Sequence, residues 1–304
     1  MSKLDLSVNL GSLQFKNPVI TASGTCGYGQ ELQKFMDLDL LGAITIKGLS
    51  VEPKTGNPTP RIAETASGLL NAIGLENPGL KEFKKEMIGV IREFNTPIIA
   101  NISGSTLDDF ALLAEELAVI EEISALEVNV SCPNIKKGGM AFGTDSELVY
   151  EVTKRVKKIF PRPVIIKLSP NVTDIKEIAA AAEKGGADII SLINTILGLA
   201  IDLDSQQPVL GNVFGGLSGP AIKPVALRMV YQVRQASELP IIGMGGIMNG
   251  EDALEFILAG ADAVSVGTAT LVEPDASIRI LKEIRKYMKK NEIKKISELK
   301  GKAH

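Results

Sequence analysis

Eight short runs of β-branched and aliphatic residues recur along the chain, and each ends on a small or polar residue. They lie at 18–23 (PVITAS), 42–48 (GAITIKG), 97–103 (PIIANIS), 125–132 (ALEVNVSC), 163–169 (PVIIKLS), 187–195 (ADIISLINT), 240–246 (PIIGMGG) and 263–269 (AVSVGTA). Runs that are apolar at nearly every position belong to strands buried on both faces, as in a parallel sheet covered by helices. Amphipathic helical stretches follow most of them, at 79–93, 107–120, 146–159, 174–184, 224–236, 251–259 and 275–290. Strands alternating with helices make βαβ units, and eight such units predict a (β/α)8 TIM barrel. An open doubly wound sheet would use fewer strands and carry a GxGxxG turn after the first, which is missing here.

Two features decorate this pattern. An alternating segment at 4–10 turns at Gly11-Ser12 into 13–15, which predicts an N-terminal hairpin. Residues 51–75 and 196–219 are rich in Gly, Pro, Asn and Ser. They read as loop insertions at the carboxyl ends of the second and sixth strands, the catalytic face of a barrel. With no linker or low-complexity tract between units, residues 1–304 read as one barrel domain. The lysine-rich tail at 286–302 reads as a solvated helix and chain end.

Composition removes whole classes of chemistry. The one histidine, His304, is the last residue, and chain ends fray. No Ser-His-Asp triad, Cys-His dyad or histidine-ligated metal is therefore expected. Two cysteines, Cys26 and Cys132, cannot complete a four-cysteine zinc site or hold an iron–sulfur cluster, so no metal is expected on this chain. Such sparse cysteine reads as a reducing compartment. A net charge of −3 and aromatic content of 4% without tryptophan argue against nucleic acid as partner. The longest uncharged apolar segment, 189–201, is too short to cross a bilayer, and the first residues lack the apolar stretch of a signal peptide. The expectation is a cytoplasmic protein with no membrane partner.

Barrel logic gathers the strand ends around one mouth. They supply Ser23, Lys47-Gly48, Asn101, Asn129 with Cys132, Lys167, Asn194-Thr195, Gly245-Gly246 and Gly267-Thr268. Alone, such a lysine reads as a surface charge, an asparagine as a turn former and a glycine pair as a turn. Eight together read as a shared ligand site. Gly245-Gly246 and Gly267-Thr268 end the seventh and eighth strands, where barrels seat phosphate on backbone N–H groups. Lys47 and Lys167 are two cations for an anionic, electron-rich ring such as a reduced flavin. The amides of Asn71, Asn101, Asn129, Asn134 and Asn194 match the alternating C=O and N–H edges of a pyrimidine. Cys132 leaves its strand just before a proline and a glycine-rich stretch, 135–144, that reads as a lid. With no histidine at hand, its thiol is the natural base or acid of the mouth, whereas Cys26 reads as structural.

These motifs together resemble the class 1 dihydroorotate dehydrogenases over essentially the whole chain. The resemblance is carried by ITIKG (44–48), NAIGLENPG (71–79), NVSCPN (129–134), IKLSP (166–170), INT (193–195), GGLSGPAIKP (215–224), GMGGI (243–247) and VGTA (266–269). It implies a barrel that binds FMN and oxidises dihydroorotate to orotate in pyrimidine biosynthesis, with Cys132 as the base that takes the C5 proton. The membrane-attached class has serine at that position and an N-terminal extension. The segments KKGGMAFGTD and INTILGLAID look like class 1B. That class implies an electron-transfer subunit carrying FAD and a [2Fe–2S] cluster, NAD as acceptor, and a heterotetramer of two catalytic and two electron-transfer chains. By motif, flavin contacts fall on Ser23, Lys47, Gly48, Asn101, Asn129, Lys167, Ile193, Gly219, Gly245, Gly246, Gly267 and Thr268. Substrate contacts fall on Lys47, Asn71, Ala72, Ile73, Gly74, Leu75, Asn129, Asn194 and Thr195. Alternatives at this point are a fumarate-dependent class 1A enzyme or another flavin-dependent dihydropyrimidine or dihydrouridine oxidoreductase.

Overall fold

The structure is a computed structural model that describes residues 4–131, 133–134 and 140–304. Eight parallel strands form the central sheet: β1 (Val19–Thr21), β2 (Ile44–Leu49), β3 (Ile98–Ile102), β4 (Ile123–Asn129), β5 (Val164–Leu168), β6 (Ile189–Leu192), β7 (Ile241–Met244) and β8 (Ala263–Val266). Their order is β1-β8-β7-β6-β5-β4-β3-β2, so each strand lies beside its sequence neighbour. Closure falls between β1 and β2. A parallel bridge joins Ile20 to Ala43, Gly42 N–H donates to the Val19 carbonyl at 2.8 Å, and Thr45 N–H donates to Thr21 Oγ1 at 2.9 Å. The result is a (β/α)8 barrel.

The strands are apolar at most positions because their outer faces lie under helices. β3, β5, β6, β7 and β8 are buried at every position. The covering helices are α1 (residues 79–91), α2 (Leu107–Ala118), α3 (Ser146–Ile159), α4 (Ile175–Lys184), α5 (Lys223–Ala236), α6 (Gly250–Leu258), α7 (Thr268–Val272) and α8 (Ala276–Lys290). Several begin at side chains that cap free N–H groups. Thr106 and Asp109 form a capping box on α2, Asn249 and Asp252 one on α6, and Asp145 and Asp174 cap α3 and α4. In α1 the regular helix expected from sequence is interrupted by a π-turn at Phe83–Met87. In a pure α-helix Ile91 would sit about 80° around from Phe83; a π-turn absorbs about one residue and brings the two within about 20°. Both are buried in the core.

The predicted hairpin pairs Val8–Leu10 with Leu13–Phe15 just before β1, and buries Leu10 and Phe15. The two insertions differ from expectation. They are strands, and they pair with each other in an antiparallel sheet ordered Ile196–Leu199, Phe214–Ser218, Gly68–Asn71, Ile62–Thr65. Ala63, Leu70, Ala72 and Leu210 form a small apolar cluster of their own there.

The chain end also corrects its reading. After α8, Ile296 and Leu299 are buried, and Ala303 N–H donates to the Leu258 carbonyl at 3.1 Å. The His304 ring stacks on Tyr231 with centroids 3.9 Å apart. These contacts lie at the carboxyl end of α6, which leads into β8 from the end of the barrel opposite the mouth. Among the described residues, no helix is long and apolar enough to cross a membrane.

Candidate active site

The barrel brings the described sequence-chosen residues to one end and links many of them by contact. On β3, Asn101 is buried, and its Nδ2 donates to Glu127 Oε2 at 2.6 Å. Its Oδ1 faces the opposite way, 2.8 Å from where a Cβ on Gly48 would lie. The same Cβ would lie 3.7 Å from Leu75, which ties the end of β2 to the 71–75 segment. Lys47 is half-buried beside Gly48, and its Nζ has no hydrogen-bond or ion-pair partner among the described residues. Lys167, on β5, is 6% exposed, and its Nζ lies 3.5 Å from Glu127 Oε2.

Glu127 is the functional candidate that sequence reading passed over. It is 3% exposed and also accepts from Ser191 Oγ at 2.9 Å. Ser191 is on β6, two strands away from β4, a reach that only the barrel interior allows. A carboxylate in such a place is held only by partners that replace its water. The signal was present in ALEVNV: a lone carboxylate in a strand apolar on both faces requires a buried partner. Two cations were counted in the mouth from sequence. With Glu127 included, Lys47, Lys167 and Glu127 leave one net positive charge.

A second group sits where β4, β5 and β6 end. Asn194 Nδ2 donates to Asn129 Oδ1 at 3.3 Å and to Ser131 Oγ at 3.0 Å, while Thr195 N–H donates to Asn194 Oδ1 at 2.8 Å. Asn171, another residue not singled out from sequence, holds the next step: its Nδ2 donates to the Thr195 carbonyl at 3.1 Å and its Oδ1 accepts Leu197 N–H at 3.0 Å. Thr195 packs on Gly216, whose carbonyl accepts from Asn71 Nδ2 at 3.2 Å. Ala72 N–H donates to the Arg61 carbonyl at 2.7 Å, and the Ile73 carbonyl accepts Asn57 N–H at 3.1 Å. Gly74 and Leu75 both have positive φ, 75° and 56°, so the chain turns sharply where the insertion re-enters the mouth.

The third group is a cradle of small residues. Gly219, Gly245 and Gly246 have φ of 91°, 124° and 77°. A Cβ on Gly245 would lie 3.3 Å from Ile193 Cγ1; one on Gly246 would lie 2.8 Å from the Gly219 carbonyl oxygen; one on Gly219 would lie 3.4 Å from Thr268 Cγ2. Thr268 Oγ1 donates to Ser218 Oγ at 2.9 Å. Gly267 faces Ala22, next to Ser23, across an ordinary van der Waals gap. The N–H groups of Gly245, Gly246 and Gly267 have no backbone acceptor among the described residues. This is the chemistry of an anion seat.

Cys132 and the 135–139 part of the expected lid lie outside the described residues; on either side of them Pro133–Asn134 pairs with Met140–Ala141. Cys26 is buried, with Sγ 3.1 Å from the Thr45 carbonyl, and burial pushes its thiol up to about 11. That agrees with the structural reading given to it.

A family model described as dihydroorotate dehydrogenase matches residues 5–288. The chain belongs to the dihydroorotate dehydrogenase family. It is 55% identical over 301 residues to the protein named dihydroorotate dehydrogenase B (NAD(+)), catalytic subunit, of Alkaliphilus metalliredigens. Proteins of the same name from Desulforamulus reducens and Geobacter sulfurreducens are 57% and 54% identical over 302 and 301 residues. In all three pairs the match covers 99% of each chain. Among solved structures, the DHODH of Eimeria tenella in complex with ferulenol superposes with a TM-score of 0.82 at 23% identity, over 99% of this chain and 89% of that one. At that identity the likeness is one of fold. A dihydroorotate dehydrogenase barrel thus accounts for the strand order and the family match together.

Proposed function

We propose that this chain is the catalytic subunit of an NAD-linked dihydroorotate dehydrogenase, working in the cytoplasm, which oxidises (S)-dihydroorotate to orotate with bound FMN. The observation that carries the reading is the agreement between the strand-end constellation and relatives of that name matched along 99% of the chain. Electrons leave through a partner subunit carrying FAD and a [2Fe–2S] cluster, in an assembly of two catalytic and two electron-transfer chains. Two cysteines cannot hold that cluster here, which favours a separate chain.

The residues present fit FMN. Gly219, Gly245, Gly246, Gly267 and Thr268 would take the phosphate on backbone N–H groups that have no backbone acceptor among the described residues. Ser23, Lys47, Gly48, Asn101, Asn129, Lys167 and Ile193 would hold the rest of the cofactor. When bound, the flavin supplies a two-electron acceptor for the hydride that leaves C6. Everything else falls to the chain. Cys132, as thiolate, removes the C5 proton, which the adjoining carbonyl acidifies. Asn71, Asn129 and Asn194 orient the pyrimidine ring, with Thr195 against it; the linked Asn129–Asn194–Ser131 bonds pre-set two of those amides. Lys47, a cation without a partner among the described residues, faces the substrate carboxylate together with the backbone of Ile73, Gly74 and Leu75, and Ala72, whose N–H is bonded to the Arg61 carbonyl, anchors that turn.

The test is direct. The purified chain loaded with FMN is mixed anaerobically with dihydroorotate, and the visible flavin band is followed. Native protein should bleach, and Cys132→Ala should hold flavin yet bleach at least a hundredfold more slowly. A native protein that ignores dihydroorotate would overturn the substrate, and a Cys132→Ala protein reducing at the native rate would overturn the base.

A further inference from the structure

We infer that Glu127 is a positioning residue which sets, through Lys167 and Asn101, the charge and donor pattern that the floor of the mouth offers the flavin. The inference rests on the flavin reading above and deepens it. Three strands meet at this one carboxylate: Asn101 from β3 at 2.6 Å, Lys167 from β5 at 3.5 Å and Ser191 from β6 at 2.9 Å. Each contact has a separate consequence.

Asn101 is the first. An amide can present either its donor or its acceptor to a ligand, and a free Asn does both by flipping. Here Nδ2 is committed to the carboxylate, so Oδ1 is turned toward Gly48 and the mouth. Whatever meets Asn101 there must bring an N–H or O–H. Glu127 therefore selects a donor edge of the ligand without touching it.

Lys167 is the second. Its only ion-pair partner among the described residues is Glu127, and both side chains are buried at 7% and 4% exposure. At 3.5 Å one ammonium hydrogen is directed at the carboxylate and the others remain for a ligand. The pair as a whole is neutral, so the pull of Lys167 on negative charge developing in a reduced flavin is moderated by the carboxylate behind it. In an interior that screens poorly, the effect of that carboxylate is felt at the ring. Glu127 thus makes bound flavin a stronger reductant than Lys167 alone would allow, which suits an enzyme that must hand its electrons onward.

Ser191 donates to the other oxygen and fixes the carboxylate plane. Glutamine can keep this frame. Its carbonyl oxygen accepts from Asn101, and its NH2 donates to the Ser191 hydroxyl, so Glu127→Gln removes the charge and little else.

The two-electron midpoint potential of bound FMN is the readout, with Glu127→Gln, Lys167→Gln and the double variant compared with native protein. Glu127→Gln should favour reduced over oxidised flavin at least tenfold, an upward shift of about 30 mV or more. Lys167→Gln should shift it downward. The double variant, neutral for neutral, should return to within about threefold of native, about 14 mV. A general loosening of the barrel would not give shifts of opposite sign that cancel. The inference is overturned if Glu127→Gln binds flavin at a potential within twofold of native, or if the double variant stays as low as Lys167→Gln. Should Glu127→Gln fail to fold, the Lys167→Gln and double-variant comparison decides alone. A native chain that takes up no FMN would instead refute the flavin reading itself.

Discussion

Gly216 makes the sharpest test of how the insertion sheet serves the site. It pairs with Leu197 on one side and Asn71 on the other, so its backbone is fixed by both neighbours. A Cβ placed there runs into Thr195 Oγ1 and sits 2.6 Å from Thr195 Cβ. Rotating the threonine clears the hydroxyl but leaves the Cβ contact, so Gly216→Ala must push the two backbones apart by about 1 Å to reach normal packing distance. Thr195 is in turn bonded to Asn194 and Asn171, which means the displacement is passed directly to the amides expected to hold the pyrimidine. Overpacking of this kind costs about 1–3 kcal/mol, and a misplacement of about 1 Å in a substrate-positioning group lowers kcat/KM on the order of a hundredfold. The assay is steady-state oxidation of dihydroorotate alongside flavin content and a thermal melt. Gly216→Ala should retain stoichiometric flavin, because Gly245, Gly246 and Gly267 of the seat follow β7 and β8 and not the Gly216 strand, while kcat/KM falls and Tm drops by several degrees. A variant with native kcat/KM and native Tm would refute the claim that this sheet positions the substrate residues.

Two further outcomes follow from local chemistry. Gly246 has φ of 77° and a Cβ there would lie 2.7 Å from Lys223 Cβ, so Gly246→Ala should weaken FMN binding at least tenfold in a fluorescence titration; an unchanged Kd would remove Gly246 from the anion seat. Cys26 ionises near 9.0 when exposed but is pushed up to about 11 by burial, so its contribution to stability is complete below pH 9 and is lost as pH rises through about 11. The loss approaches roughly 3 kcal/mol, and Cys26→Ala should flatten the native decline over that range; parallel denaturation curves for the two proteins would show that another group is responsible.

The barrel was legible because its strands are buried on both faces, and such burial leaves uninterrupted apolar runs. The insertion sheet was not, for the converse reason. Its Ile196–Leu199 strand alternates between half-buried and exposed positions, and its Phe214–Ser218 partner carries two glycines, so neither shows the run of a core strand. Each becomes a strand only because the other insertion supplies its partner, a relation 145 residues apart between Asn71 and Gly216. The strand-end residues were legible one by one, since barrel topology alone places them. Their mutual bonds were not. Glu127 and Ser191 sit in separate apolar runs with no periodicity to link them, and only the closed barrel brings them within 2.9 Å. The end of the chain misled in the opposite direction, because a terminal histidine looks free until Tyr231 and the end of α6 are seen beside it.

The pairing of the two insertions bears on how such a chain can be recombined. Gly68 carries no Cβ where the Ser218 carbonyl oxygen crosses it, and Leu69, Leu70 and Asn71 lie in register with Ser218, Leu217 and Gly216. A crossover between two family members placed anywhere from residue 76 to residue 195 would join one parent's first insertion to the other's second. Every strand and helix of the barrel would still be present, yet the plate above the mouth would be assembled from strands that were never fitted to each other. For exchange of genetic material, the unit is therefore the pair of excursions, although more than a hundred residues of barrel separate them.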